Sequence, residues 1–106
     1  MNRGEIWSFE FKKPDKTRPV VILTHQEMIP HLHTVTVAPI TRTIRGVPSE
    51  VSVGPEEGLK EASAINLHHL VTVPKSQIRR YIGSLAPSKM SALLEAMLFA
   101  LGYDLQ

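Results

Sequence analysis

Two arginine-and-hydroxyl features stand out as capable of chemistry. Arg18 opens the apolar run RPVVILT, residues 18–24, and Thr41 closes TVTVAPIT, residues 34–41, with Arg42, Thr43 and Arg45 directly beyond it. A guanidinium is a permanently charged, planar fork that suits phosphate oxygens. A threonine hydroxyl donates one hydrogen bond and accepts others. Together Arg18 and Thr41 have the means to grip a phosphodiester. The competing reading is structural: Arg18 pairs with Asp15 or Glu50, and Thr41 caps a turn.

Other chemistries find less support. Five histidines raise the question of a metal, and His31 and His33 would share a side in a strand. Neither they nor His68 and His69 come with a carboxylate triad, and no His-Glu-x-x-His spacing occurs, so no metal site and no cofactor are expected. The chain lacks a Gly-x-Ser-x-Gly elbow, a Walker sequence and a Gly-x-Gly-x-x-Gly turn. With no cysteine there is no disulfide, thiol nucleophile or thiolate ligand. The carboxylates Glu50, Glu56, Glu57 and Glu61 read as a solvated turn. Charge is uneven under a net +2: residues 1–45 hold seven Lys and Arg against four Asp and Glu, with Lys12, Lys13, Lys16 and Arg18 close together. A basic first half can meet phosphates.

The elements that must position these groups are mostly strands. EIWSFEF alternates, with Trp7, Phe9 and Phe11 on one face, and RPVVILT is continuous enough for a central strand. HQEMIPHLH reads as an irregular connection with a helical turn broken at Pro30. TVTVAPI is a third strand whose pairing Pro39 helps to end, and SEVSV, EASAIN, HLVTV and YIGSL follow as short strands separated by turns. PKSQIRR is read as one helical turn at most. Many short strands at close spacing predict a small barrel. Met90, Leu93, Leu94, Met97, Leu98 and Leu101 then fall on a helical stripe, with Pro87 at its first position and Gly102 at its cap. That stripe is expected to cover the barrel core, with Phe99 turned toward a second subunit. At 106 residues the expectation is one domain, 1–106. No apolar run is long enough for a membrane span and MNRGEIW lacks the apolar stretch of a signal peptide, so a cytoplasmic protein is expected.

RGEIW at 3–7, RPVVILT at 18–24, VTVAPIT at 35–41, the Gly58–Leu59 turn and IGSLAPSKM before the helix appear in an order that resembles the MazF/PemK/Kid toxins. The resemblance spans nearly the whole chain. It implies a mainly β, SH3-like barrel with a C-terminal amphipathic helix, and a homodimer that cuts single-stranded RNA at short sequences without metal. It also implies a partner, a small antitoxin whose acidic C-terminal tail occupies the RNA surface. The family's functional arginine falls on Arg18 and its functional threonine on Thr41. The implied reaction is attack of a ribose 2′-hydroxyl on the adjacent phosphate, leaving 2′,3′-cyclic phosphate and 5′-hydroxyl ends. Lys12, Lys13, Lys16, Arg42, Thr43 and Arg45 would line the RNA path. His25, His31 and His33, in the connection pictured as facing substrate, would include the proton acceptor. Two departures matter: the loop FKKPDKT is short and lacks the family's Gly-Ser-Glu-Gln, and Arg42 stands where relatives have a hydroxyl. Alternatives are a CcdB-like gyrase poison and a non-catalytic RNA-binding SH3-like module.

Overall fold

Alternating and continuous apolar runs become seven antiparallel strands followed by one helix in a computed structural model that describes residues 1–10 and 17–103. The strands are β1 (Glu5–Glu10), β2 (Thr17–Ile22), β3 (Thr34–Thr41), β4 (Glu50–Val53), β5 (Ser63–Asn66), β6 (Val71–Pro74) and β7 (Ile78–Ser84); the helix is α1 (Pro87–Ala100). Their order in the sheet is β4-β5-β3-β2-β1-β7, with β6 also on β3. The fold is mainly β with a C-terminal helix, as expected.

The period of two splits the core between the two faces of this sheet. Val20 and Ile22 of β2 join Val35 and Val37 of β3 on one face, with Phe9, Ile29, Val73 and Ile78. Val21 and Leu23 join Ala38 and Ile40 on the other, where Val51, Val53, Ile65 and Leu67 meet α1. RPVVILT is therefore the central strand it was read to be. The first strand differs from its reading: Ile6, Ser8 and Phe9 are all buried and Trp7 half-buried, because both faces are covered there. Phe11 lies outside the described residues.

Hydrogen bonds do not join the outer strands β4 and β7 among the described residues. Instead the turn after β4 meets β7 through two glycines. A Cβ on Gly83 would collide with the Glu57 carbonyl, and one on Gly58 with the Ile82 carbonyl. Gly58 also has φ +95°, a conformation that L side chains rarely adopt. The seam is thus backbone against backbone.

The helix begins with Pro87 in its first turn, as expected. Its buried face keeps half of the predicted stripe, Met90, Leu93 and Met97, and loses the other half. Leu93 and Ala96 are buried, and Met90, Ala92, Met97 and Ala100 pack beside them. Leu94 and Leu101 are 54% exposed and Leu98 39%. Alanines allow α1 to approach β4 closely, and Lys89 Nζ donates to the Ser52 carbonyl to hold it there. Burial of a leucine such as Leu93 contributes about 1.5–3 kcal/mol. Two smaller readings also change: Pro30 sits inside a 3₁₀ turn, Ile29–His31, rather than breaking it, and β7 begins at Ile78, taking three residues from PKSQIRR.

Candidate active site

Pro39 marks the place where β2 and β3 part. Their pairs run Ile22↔Val37, Val21↔Ala38, Val20↔Pro39 and end there; beyond this β3 continues on its other edge with β5, as Ile40↔Ile65 and Thr41↔Ala64. Proline has no N–H to continue the ladder. Arg18 and Thr41 each lie two residues beyond the last shared pair. Continuing the period of two, they fall on the same face, Arg18 past Val20 and Thr41 past Val37.

A cleft of about 560 Å³ opens at this fork. Arg18, Pro19, Ile40 and Arg42 line it from the parting strands, Leu59, Lys60 and Glu61 from the turn after β4, and Arg80 and Ile82 from β7. Thr41 lies between two lining residues without lining the cleft itself. Its Oγ1 accepts the Thr43 N–H at 3.1 Å, which engages one lone pair and leaves the hydroxyl proton to be donated. Arg18 is exposed and has no side-chain hydrogen bond or ion pair among the described residues. Its exposure keeps the cost of its charge small. The proposed Glu50 partner is taken: that carboxylate accepts the Arg45 and Gly46 N–H groups. Asp15 lies outside the described residues.

Arg42 is the one cleft guanidinium with a carboxylate partner among the described residues, at 2.9 Å from Glu61. Both side chains are well exposed, and pairs of this kind contribute about 0–1 kcal/mol. A phosphate can displace Glu61 at little cost. With Arg18 and Arg80 unpaired among the described residues, and Lys60 and the Arg42–Glu61 pair beside them, the cleft is lined by more cations than carboxylates.

The other expected site residues divide. Thr43 and Arg45 are exposed on the exit loop and do not line the cleft. Lys12, Lys13 and Lys16 lie outside the described residues. His25, His31 and His33 are exposed on the connection between β2 and β3. That connection leaves the far end of β2 and enters the far end of β3, so the picture of it facing the cleft is corrected. His33 and Thr41 are separated by eight residues of strand, roughly 27 Å. Arg80, Lys60 and Glu61 were missed, because a sheet end brings them to the β2–β3 fork from two distant segments, the turn after β4 and β7. Among the described residues no three of His, Cys, Asp and Glu cluster as metal ligands would.

The model of the PemK-like, MazF-like toxins of type II toxin-antitoxin systems matches residues 2–101. The chain belongs to this family. The MazF-like chain is 46% identical over 83 residues to endoribonuclease MazF3 of Mycobacterium tuberculosis, covering 78% of itself and 81% of that protein. The solved structure of Mycobacterium tuberculosis toxin MazF-mt6 has a TM-score of 0.88 at 40% identity, covering 95% of this chain and 99% of that one. A mycobacterial endoribonuclease solved with its cognate antitoxin has the same fold, with a TM-score of 0.88 at 24% identity, over 100% of this chain and 99% of that one. The ordered motifs of the sequence thus carried the family correctly.

Proposed function

We propose that this MazF-like chain is the toxin of a type II toxin-antitoxin pair, an endoribonuclease that cuts single-stranded RNA at specific sequences without metal and so arrests translation and growth. The observation that carries the chemistry is the fork at Pro39, which leaves Arg18 and Thr41 equally far beyond the last β2–β3 pair, at a cleft rich in cations. The ribose 2′-oxygen attacks the adjacent phosphorus, the bond to the 5′ oxygen breaks, and 2′,3′-cyclic phosphate and 5′-hydroxyl ends result. Arg18 stabilises the charge of the phosphorane. The Thr41 hydroxyl, whose oxygen accepts the Thr43 N–H, keeps its proton to donate to a phosphate oxygen. Arg42 takes the phosphate in exchange for Glu61, whose released carboxylate receives the 2′ proton, while the departing 5′ oxygen takes its proton from water. Most of the rate comes from positioning and fixed charge, since these groups are weak proton donors and acceptors. The chain acts in the cytoplasm as a homodimer, and a small antitoxin with an acidic C-terminal tail covers the cationic cleft.

The test is to incubate purified protein with a long RNA in EDTA and map the new 5′ ends, alongside Arg18→Ala and Thr41→Ala. Discrete cuts with 5′-hydroxyl ends, lost in both folded variants, are expected. Equal cutting by all three proteins refutes the assignment, as does gyrase inhibition without RNA cutting.

A further inference from the structure

Two adjacent arginines on β7 have opposite fates. Arg79 is tied to Glu10 of β1, its Nε donating at 2.6 Å. Arg80 has no side-chain hydrogen bond or ion pair among the described residues, and it lines the cleft with Arg18. The register between β1 and β7 explains how Arg80 is presented. Trp7 pairs with Tyr81 and Phe9 with Ile78, so Ser8 alone faces both Arg79 and Arg80. An extra residue of this kind bends a strand and re-aims its side chains. The N–H that the irregularity takes from the ladder is not left unpaired: Arg80 donates it to Ser8 Oγ at 3.0 Å, and Ser8 is buried. A second shift, between Ile6↔Gly83 and Trp7↔Tyr81, leaves Ile82 as the extra residue, and Ile82 also lines the cleft.

We infer that Arg80 is a substrate-positioning residue that holds an RNA phosphate from the β7 side of the cleft that Arg18 also lines, with Ser8 fixing the backbone from which it reaches. The inference rests on the endoribonuclease reading and extends it to a second phosphate contact, the scissile phosphate being held by Arg18. A phosphate contact adds affinity without reading bases, and on a single strand each contributes about −0.7 to the slope of log K against log salt.

The experiment measures binding of a 2′-O-methylated single-stranded RNA, spanning a site that the wild type cuts, by fluorescence anisotropy over a salt series. Arg80→Ala is expected to weaken binding about three- to tenfold at low salt and to flatten the slope by about 0.7. In cleavage assays it should raise KM more than it lowers kcat. Arg80→Lys should restore the slope, since the charge returns. Arg79→Ala, whose guanidinium is engaged with Glu10, should keep the wild-type slope. An Arg80→Ala protein that melts like the wild type and keeps its affinity and slope overturns the inference, as does an equal change in Arg79→Ala. A wild type that cuts and binds no RNA overturns the endoribonuclease reading, and this inference with it.

Discussion

The two ends of the β2–β3 pair are built from similar residues and treated in opposite ways. At the end carrying Leu23 to His33, polar groups are consumed by structure. Thr24 Oγ1 accepts the Thr36 N–H at 2.7 Å, Arg3 Nε donates to the Leu23 carbonyl at 3.0 Å, and Lys75 Nζ donates to the Ile29 carbonyl at 2.7 Å. At the end carrying Arg18 and Thr41 the strands separate, and Arg18 and Arg80 are left without side-chain partners among the described residues. A basic residue at the first end closes the fold. At the second, Arg18 and Arg80 are the groups proposed to take a phosphate. Residue type alone does not distinguish the two; what distinguishes them is whether a backbone carbonyl or carboxylate is already within reach.

The comparison is broken most directly at the open end. Arg18→Ala should lower kcat/KM by about 10²–10³, the usual loss when one group aimed at developing charge is removed. Thr41→Val should cost less, about tenfold to a hundredfold, since it withdraws a single neutral donor. Melting temperatures of both should stay near wild type; a large drop in either would return these residues to a structural role. At the closed end the effects should reverse. Thr24→Val leaves the Thr36 N–H without its acceptor and should cost about 1–3 kcal/mol in chemical denaturation, with RNA cutting by the folded protein unchanged.

Acid should act on the closed end as well. Burial pushes the Glu5 carboxyl up, but hydrogen bonds from Trp7 Nε1 and from the Asn2 backbone and side chain outweigh it, and the group ends below its ordinary value. The unfolded chain therefore binds that proton more readily. The stability Glu5 contributes is present above the ordinary carboxylate value and is lost as pH falls through its lower folded value. Glu5→Gln should remove this part of the acid dependence of Tm and leave cutting at neutral pH intact. Smallest of all, the combined His25→Ala, His31→Ala and His33→Ala protein should cut RNA within about twofold of wild type, with the same pH profile near neutrality. A lost acid limb would restore one of these histidines to the chemistry.

Much of this contrast could be read before the structure. Arg18 and Thr41 were legible because each sits at a strand end marked by a proline. The same reasoning places the intervening connection at the opposite end of an antiparallel pair, and so could have kept the histidines away from the cleft. The β7 wall was not legible: Arg80 and Ile82 reach the cleft through register shifts that leave no mark in the residue pattern. The helix misled for a different reason. A hydropathy stripe favours leucine, but close approach to β4 favours alanine, so Ala92, Ala96 and Ala100 turned inward and Leu94, Leu98 and Leu101 outward. Arg42, which the sequence assigned to the RNA path, lines the cleft and is paired there with Glu61, a partner that the sequence did not indicate.

The glycine seam has a consequence for how such a molecule can diversify. Gly58 lines the cleft, and the backbone it touches belongs to Ile82 of the opposite wall, with Gly83 pressed on Glu57 beside it. The gap between the walls is therefore gauged by main chain, whatever side chains surround it. Cations and apolar groups around the rim can be exchanged one at a time, and a new RNA sequence accommodated, while the calibre of the cleft stays the same. A single methyl group at either glycine would change it.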